Sequence, residues 1–206
     1  MKVVLINHMG SDLSVVNAAR VSFDKLHDEM QDNDTGLISY LAKHNHWSPF
    51  SHAFLSFRIK APIFVARQLG KHQVGLAWNE VSRRYVDAEP EFYTPDAWRK
   101  KAENVKQGSS DETVDTVGSN HGMNMVCLEA YNNLLKAGVC PEQARMVLPQ
   151  SMMTEWIWSG SLYAFARICN LRLDSHTQAE TREIAIALSS EIQQLFPVSW
   201  KALLNG

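Results

Sequence analysis

A chain of 206 residues, 45% of them hydrophobic, can bury a core without disulfide or metal support, and one compact globular domain over residues 1–206 is expected. A formal net charge of −2 excludes a broad attraction to nucleic acid or to an anionic membrane, so a bound anion needs a local cluster of Arg and Lys. The three cysteines, Cys127, Cys140 and Cys169, lack CxxC spacing, which argues against a disulfide framework or zinc ribbon and suits a reducing cytoplasm.

Residues 2–7 read as an opening strand, too short an apolar run for a signal peptide. No stretch approaches the roughly 18 apolar residues of a membrane helix. Asp12 is expected to cap a helix running through Val15, Val16 and Ala19 to Arg20, and Asp34 or Thr35 to start a second, with Leu37, Ile38 and Leu41 at helical spacing, ending near Lys43 and His44. Pro49 breaks the chain. Residues 54–59 alternate as a strand does, and Pro62 suits the first turn of a helix over 63–72. Residues 74–95 are mixed, with turns expected at 87–90; the polar stretch 103–120, broken by Gly108 and Gly118, reads as an exposed connection, helical in part. Met125, Leu128, Tyr131 and Leu135 mark one face of a helix over 121–137 that Gly138 stops. Another helix is expected over 141–147, a short aromatic strand over 154–159, a helix over 162–169 and an amphipathic helix over 178–195. The mixture is α+β with helices predominating.

Three segments carry chemistry. Residues 67–85 hold Arg67, Gln68, Lys71, His72, Gln73, Ser82, Arg83 and Arg84 with Gly70 and Gly75, a composition suited to anions. Arg forks bind phosphate bidentately, Lys adds a point charge, and glycine lets a ligand reach the backbone. A helix with a solvated basic face is the structural alternative. Arg145 stands alone in an apolar run before Leu148-Pro149, where it needs a carboxylate, carbonyls or a ligand phosphate. Arg172 lies between Leu171 and Leu173, just before a helix start that Asp174 or Ser175 could cap; alone it would be read beside that cap as a salt bridge. His44, His46 and His52 follow no ordinary zinc spacing, so no metal site is expected. The Met and Trp residues at 152, 153, 156 and 158 fit the core or a subunit contact.

Together with residues 44–52 and Ala19-Arg20-Val21-Ser22-Phe23, these segments resemble the flavin-dependent thymidylate synthases, in the same order from near residue 13 to near residue 185. The closest likenesses are residues 61–68, Asn79-Glu80 with Ser82 and Arg84-Tyr85, Ala144-Arg145 with Leu148-Pro149, and Asn170-Leu171-Arg172 with Asp174-Ser175-His176. The chain departs from the family's Arg-His-Arg signature with Lys71-His72-Gln73 and one extra residue before Ser82. Ser161 and Ser51 stand where an Asn and an acidic residue are frequent in the family, and Arg167 stands in place of another Asn.

The resemblance implies an α+β subunit, helices packed on a small mostly antiparallel sheet, in a homotetramer with shared active sites. It implies conversion of dUMP to dTMP with 5,10-methylenetetrahydrofolate as carbon donor and FAD reduced by NADPH. Nucleic acid and membrane are not implied as partners. Gln68, Lys71, Glu80, Ser82, Arg83, Arg84, Arg145 and Arg172 are then expected at dUMP, with Arg172 catalytic. Ser48, Lys71, His72, Gln73, Glu80 and Arg167 are expected at FAD, with Ser161 and Ser22 matched less closely. Two rivals remain on the page. A cysteine-dependent thymidylate synthase needs a thiolate nucleophile, for which Cys140 is the one candidate near an Arg. A non-catalytic nucleotide- or RNA-binding module needs a basic face with aromatic platforms, which the acidic balance opposes.

Overall fold

The computed structural model describes residues 1–86, 88–103, 108–114 and 119–205. In chain order these form β1 (Lys2–Met9), α1 (Asp12–Arg20), α2 (Asp34–Lys43), β2 (Phe54–Pro62), α3 (Ile63–Leu69), β3 (Leu76–Glu80), β4 (Trp98–Lys101), β5 (Ser109–Val114), α4 (His121–Lys136), α5 (Pro141–Ala144), β6 (Met153–Ser161), α6 (Leu162–Arg172), α7 (Ala179–Leu195) and α8 (Pro197–Asn205). Tight 3-10 turns occupy Val21–Phe23, Ser48–Ser51 and Arg145–Val147.

Alternation fixes the central strands. Leu55, Phe57, Ile59 and Ala61 of β2 and Trp156 and Trp158 of β6 point into the core, while Arg58 and Ile157 face outward. The two strands pair antiparallel from Phe54 opposite Ser161 to Pro62 opposite Met153. With β1 beyond β2 and β3 beyond β6, they make a four-stranded antiparallel sheet in the order β1-β2-β6-β3. One row across it reads Leu5, Phe57, Trp158 and Trp78. Helices α1, α2, α6, α7 and α8 pack over the inner face around Phe50, Phe165, Phe196 and Trp200, all fully buried. Each such side chain contributes roughly 1.5–3 kcal/mol. On the outer face Arg58 donates two 2.8 Å hydrogen bonds to Glu155. The architecture is the α+β arrangement expected, helices on a small antiparallel sheet.

Several elements differ from expectation. Ser11, not Asp12, is the N-cap of α1, and its N–H donates to Ser14 Oγ at 3.0 Å. The Asp12 carboxylate is buried and accepts the N–H groups of Val198 (2.9 Å) and Ser199 (2.8 Å) at the start of α8, a helix to which the sequence reading assigns nothing. Helix α3 ends at Leu69 rather than His72, because the Gly70 N–H closes its last turn on Ala66 O at 2.8 Å and the His72 N–H turns back to Leu69 O at 3.0 Å.

Residues 74–95 conceal β3. The polar stretch after residue 103 contains a strand, β5, paired antiparallel with β4, Trp98 opposite Val114. Polar contacts hold that pair where apolar alternation is missing: Arg99 Nε donates to Ser109 Oγ at 2.7 Å and Lys100 Nζ to Glu112 at 2.8 Å. Asp87, where the expected 87–90 turn begins, and Gly118 lie outside the described residues. On α4, Leu128 and Tyr131 are buried, but Asn124 takes the inner position and Met125 is exposed. Gly138, at φ +86°, follows its last turn. The N-cap of α7 is Gln178; Asp174 instead accepts the His176 N–H at 2.7 Å. Met152, Trp156 and Trp158 are core.

Candidate active site

The site is built around the end of α3. Val65, Ala66 and Leu69 anchor the helix in the core, which leaves Arg67 outside and Gln68 half-buried. Lys71, His72 and Gln73 follow as a turn into β3. That strand can begin so close to β6 because residue 160 is glycine: a Cβ there would lie 2.6 Å from both Gly75 O and the Leu76 side chain. Two recesses flank the turn. One, of about 580 Å³, is walled by Gln68, Asn170, Arg172 and His176, with Arg99 and Ser109 of the β4–β5 pair across it. The other, of about 410 Å³, is walled by Arg67, Lys71, His72, Gln73, Trp78 and Glu80.

A hydrogen bond joins them: Arg172 Nε donates to His72 Nε2 at 3.0 Å. Burial lowers the His72 pKa, and the Arg172 and Arg167 cations lower it further, so the imidazole is held neutral as an acceptor. Burial also lowers the Arg172 pKa from its ordinary value, though a guanidinium stays charged. Gln68 Oε1 is buried with no hydrogen-bond partner among the described residues. In the second recess Trp78 stacks on Trp156, centroids 4.3 Å apart and planes at 16°. Glu80 is fixed by Thr154 Oγ1 at 2.7 Å and Trp78 Nε1 at 3.2 Å.

Cations divide into two groups. Arg20, Arg58, Lys60, Arg99 and Lys100 sit on carboxylates, whereas among the described residues Arg67, Lys71, Arg83, Arg84, Arg145, Arg167 and Arg172 pair with none. Among the same described residues Lys2, Lys25, Lys43, Lys101, Lys136, Arg182 and Lys201 also pair with no carboxylate, so what sets the seven apart is that they lie in the anion-binding segments and α6. Cations without an internal counter-charge are available to a ligand's phosphates.

The structure gathers Gln68, Lys71, His72, Gln73, Glu80 and Arg172 about the two recesses, with Arg167 close enough to act on His72. It does not gather the rest. Ser82, Arg83 and Arg84 form a separate turn, where Arg84 Nε meets Ser82 Oγ at 3.3 Å, Arg84 lies 5.0 Å from the Tyr85 ring centroid, and Arg83 donates to Ala88 O. Arg145 is exposed after α5, its Nε on Glu142 O at 3.3 Å, so of the partners open to it the structure shows a carbonyl and no carboxylate. Ser22 and Ser48 are exposed on other turns. Ser161, expected at FAD, is buried, and its hydroxyl caps α6 by accepting the Ala164 N–H at 3.2 Å.

Sequence reasoning missed Arg99, Ser109 and Glu180. Arg99 donates to the buried Glu180 carboxylate at 2.7 and 2.9 Å, and so holds the β4–β5 pair against α7. Only the basic run Trp98-Arg99-Lys100-Lys101 signalled it. Among the described residues no cluster of His, Cys, Asp and Glu could hold a metal. No described helix is long and apolar enough to cross a membrane.

Residues 4–198 match the family described as thymidylate synthase complementing protein. The chain is 38% identical over 208 residues to a flavin-dependent thymidylate synthase of Thermus thermophilus, covering 98% of this chain and 76% of that protein. It is 39% identical over 207 residues to one of Kosmotoga olearia, covering 98% and 89%. Among solved structures it is similar to a UMP/dUMP methylase, PolB, from Streptomyces cacaoi bound with 5-Br dUMP: TM-score 0.84, 32% identity, 98% of this chain and 93% of that one. With nearly the whole chain matched and the paired recesses in place, this protein belongs to the flavin-dependent thymidylate synthase family.

Proposed function

We propose that this protein makes dTMP from dUMP, with 5,10-methylenetetrahydrofolate as carbon donor and FAD reduced by NADPH as hydride carrier. The observation that carries the reading is Arg172: a half-buried guanidinium without a carboxylate, fixed at Nε by His72, in a recess that Gln68 also lines. Uracil C5 is a poor nucleophile while N3 keeps its proton. A guanidinium against the N3 edge stabilises negative charge spread over N3 and the carbonyl oxygens, and so favours the form that reacts. The unpaired cations at Lys71, Arg83, Arg84 and Arg145 are assigned to the dUMP phosphate, some of them from another subunit.

The residues fit FAD. The second recess offers an aromatic wall in Trp78, the Lys71 cation and the Gln73 amide, while Arg67 and Arg167 are free of carboxylates. Lys71, His72, Gln73, Glu80 and Arg167, with Ser48 contributed from elsewhere in the assembly, would hold it. When bound, FAD supplies the hydride and one-carbon transfer chemistry, and the protein's part is to bind, orient and exclude water.

A homotetramer with shared sites is part of the proposal. Its support is where apolar surface stays exposed: Phe23, Trp47, Val74, Tyr85 and Met146 are 55–79% exposed, and each lies in a segment that carries the family resemblance. A second copy covering these segments would bring the scattered Ser48, Arg84 and Arg145 to the recesses. Three free thiols fit a cytoplasmic setting.

The test is dTMP formation from dUMP, methylenetetrahydrofolate and NADPH, with and without added FAD, and with UMP in parallel. The proposal expects a yellow protein that releases FAD on denaturation and makes dTMP. A colourless protein that cannot be loaded with FAD overturns it and favours a non-catalytic nucleotide-binding module.

A further inference from the structure

We infer that His72 is a positioning residue for Arg172: the lone pair of its Nε2 accepts the Arg172 Nε–H and sets the plane in which the guanidinium meets the pyrimidine. The inference rests on the assignment of Arg172 to dUMP.

The bond spans 3.0 Å between the turn after α3 and the last turn of α6. Among the described residues it is the one hydrogen bond of the Arg172 side chain, so both terminal amino groups stay free. Anchoring at Nε therefore directs the outward fork at the ligand. The partner's chemistry matters as much as its place. A carboxylate there would orient the guanidinium equally well, but it would cancel the charge that has to stabilise an ionised uracil. A neutral imidazole orients without cancelling.

The acceptor role requires Nε2 without a proton, with the proton on Nδ1. The charged groups around His72 favour that state. Arg172 and Arg167 face it from α6, Arg67 lies on α3, and Lys71 is its neighbour in the chain. The carboxylate in the same recess, Glu80 of β3, is already bonded to Thr154 and Trp78. Half-burial and the α6 cations push the imidazole below its ordinary value, so the anchor holds at neutral pH and fails only in more acid solution, below the ordinary imidazole range. Protonation would place two cations at hydrogen-bond distance and release the guanidinium from its plane.

The test compares His72→Gln and His72→Ala in the FAD-loaded protein with wild type and Arg172→Ala. Glutamine keeps an oxygen near the Nε2 position and does not titrate in this range. The Ala variant should lose about tenfold to a hundredfold in kcat, the scale of a catalytic group displaced by about an ångström, with KM for dUMP changed less. The Gln variant should recover most of kcat and lose the acid limb of the wild-type pH profile. Fluorine NMR of bound 5-fluoro-dUMP reads N3 ionisation without turnover. The N3 pKa should be depressed in wild type and His72→Gln, and should rise in His72→Ala and Arg172→Ala alike. Depression retained in His72→Ala but lost in Arg172→Ala overturns the positioning role and leaves Arg172 in place. Depression retained in Arg172→Ala overturns the reading of Arg172 itself. Should the Ala variant not fold, an acid limb unchanged in His72→Gln is enough to reject the inference.

Discussion

At the scale of residues, an arginine, the cysteines and an aspartate each support a test. Arg172→Ala, and to a smaller degree Arg172→Lys, should cut dTMP formation by roughly a hundredfold or more, as loss of one preorganised charge-stabilising group does. Bound flavin and NADPH oxidation should be retained, since the proposal sets Arg172 on the pyrimidine side; wild-type dTMP formation in the Ala variant would make Arg172 structural. Cysteine is the counter-case. Burial pushes the Cys169 thiol up to about 12, so it carries no thiolate at neutral pH, and Cys140 is exposed and lines neither recess. Replacing Cys127, Cys140 and Cys169 together by Ser or Ala should leave turnover within roughly tenfold, about 1.4 kcal/mol of barrier. Collapse of turnover in a folded triple variant would restore the thiolate mechanism.

A third residue concerns stability alone. Burial by itself would raise the Asp34 pKa, but hydrogen bonds from the Gln31 N–H, Arg20 and His27 outweigh it and hold the carboxyl at about 2. The unfolded chain protonates near 3.9, so the stability this carboxylate provides is complete above that pH and is lost as pH falls through about 2. Asp34→Asn should lower the urea midpoint at pH 7 and flatten its fall between about pH 4 and 2; an unchanged profile would show that the acid sensitivity arises elsewhere.

At the scale of elements, the two hydrogen bonds from Arg99 to Glu180 tie the β4–β5 pair to α7. Removing the cation leaves a buried carboxylate unpaired, so Arg99→Ala should cost about 3 kcal/mol locally. Hydrogen exchange at residues 98–101 and 109–114 should rise well above that of β2 and β6, and KM for dUMP should rise as the wall of the Arg172 recess loosens. Exchange confined to the wild-type level would mean that other contacts hold the pair. The same elements mark the limits of sequence reading. Strands β2 and β6 were legible because their buried and exposed residues alternate, and α7 because its apolar residues recur at helical spacing. Strand β5, Ser-Ser-Asp-Glu-Thr-Val, has no such pattern and exists through cross-strand polar pairs. Helix α8 depends on Asp12, a residue at the other end of the chain. For the candidate site, the residue types of 67–73 and 170–172 were readable as anion-binding, but the Arg172–His72 bond joins positions a hundred residues apart and leaves no local trace. At Ser161 the sequence could not show the cap, because a capping hydroxyl and a ligand-binding hydroxyl are the same group in a sequence.

At the scale of the molecule, Val74, Tyr85 and Met146 are exposed apolar residues in segments that carry unpaired cations, and the proposed assembly would tie such surface to the cofactor. FAD should bind the assembled form more tightly than the monomer and raise its melting temperature with the logarithm of ligand excess. Light scattering on loaded and stripped protein checks this, and a monomer that binds FAD tightly would contradict it. The sheet order β1-β2-β6-β3 also shapes the protein's birth. Strand β2 ends at Pro62 and its neighbour begins at Met153, so at 5–20 residues per second roughly 5–20 s of translation separate the two. Through that interval the nascent chain presents a β2 edge with no neighbour on one side, and Leu55, Phe57 and Ile59 have no Trp158 to cover them. Spontaneous closure waits for β6 to emerge, and until then the unfinished polypeptide is a client for holding chaperones, its yield in a cell set by ribosome pace as much as by the stability of the finished fold.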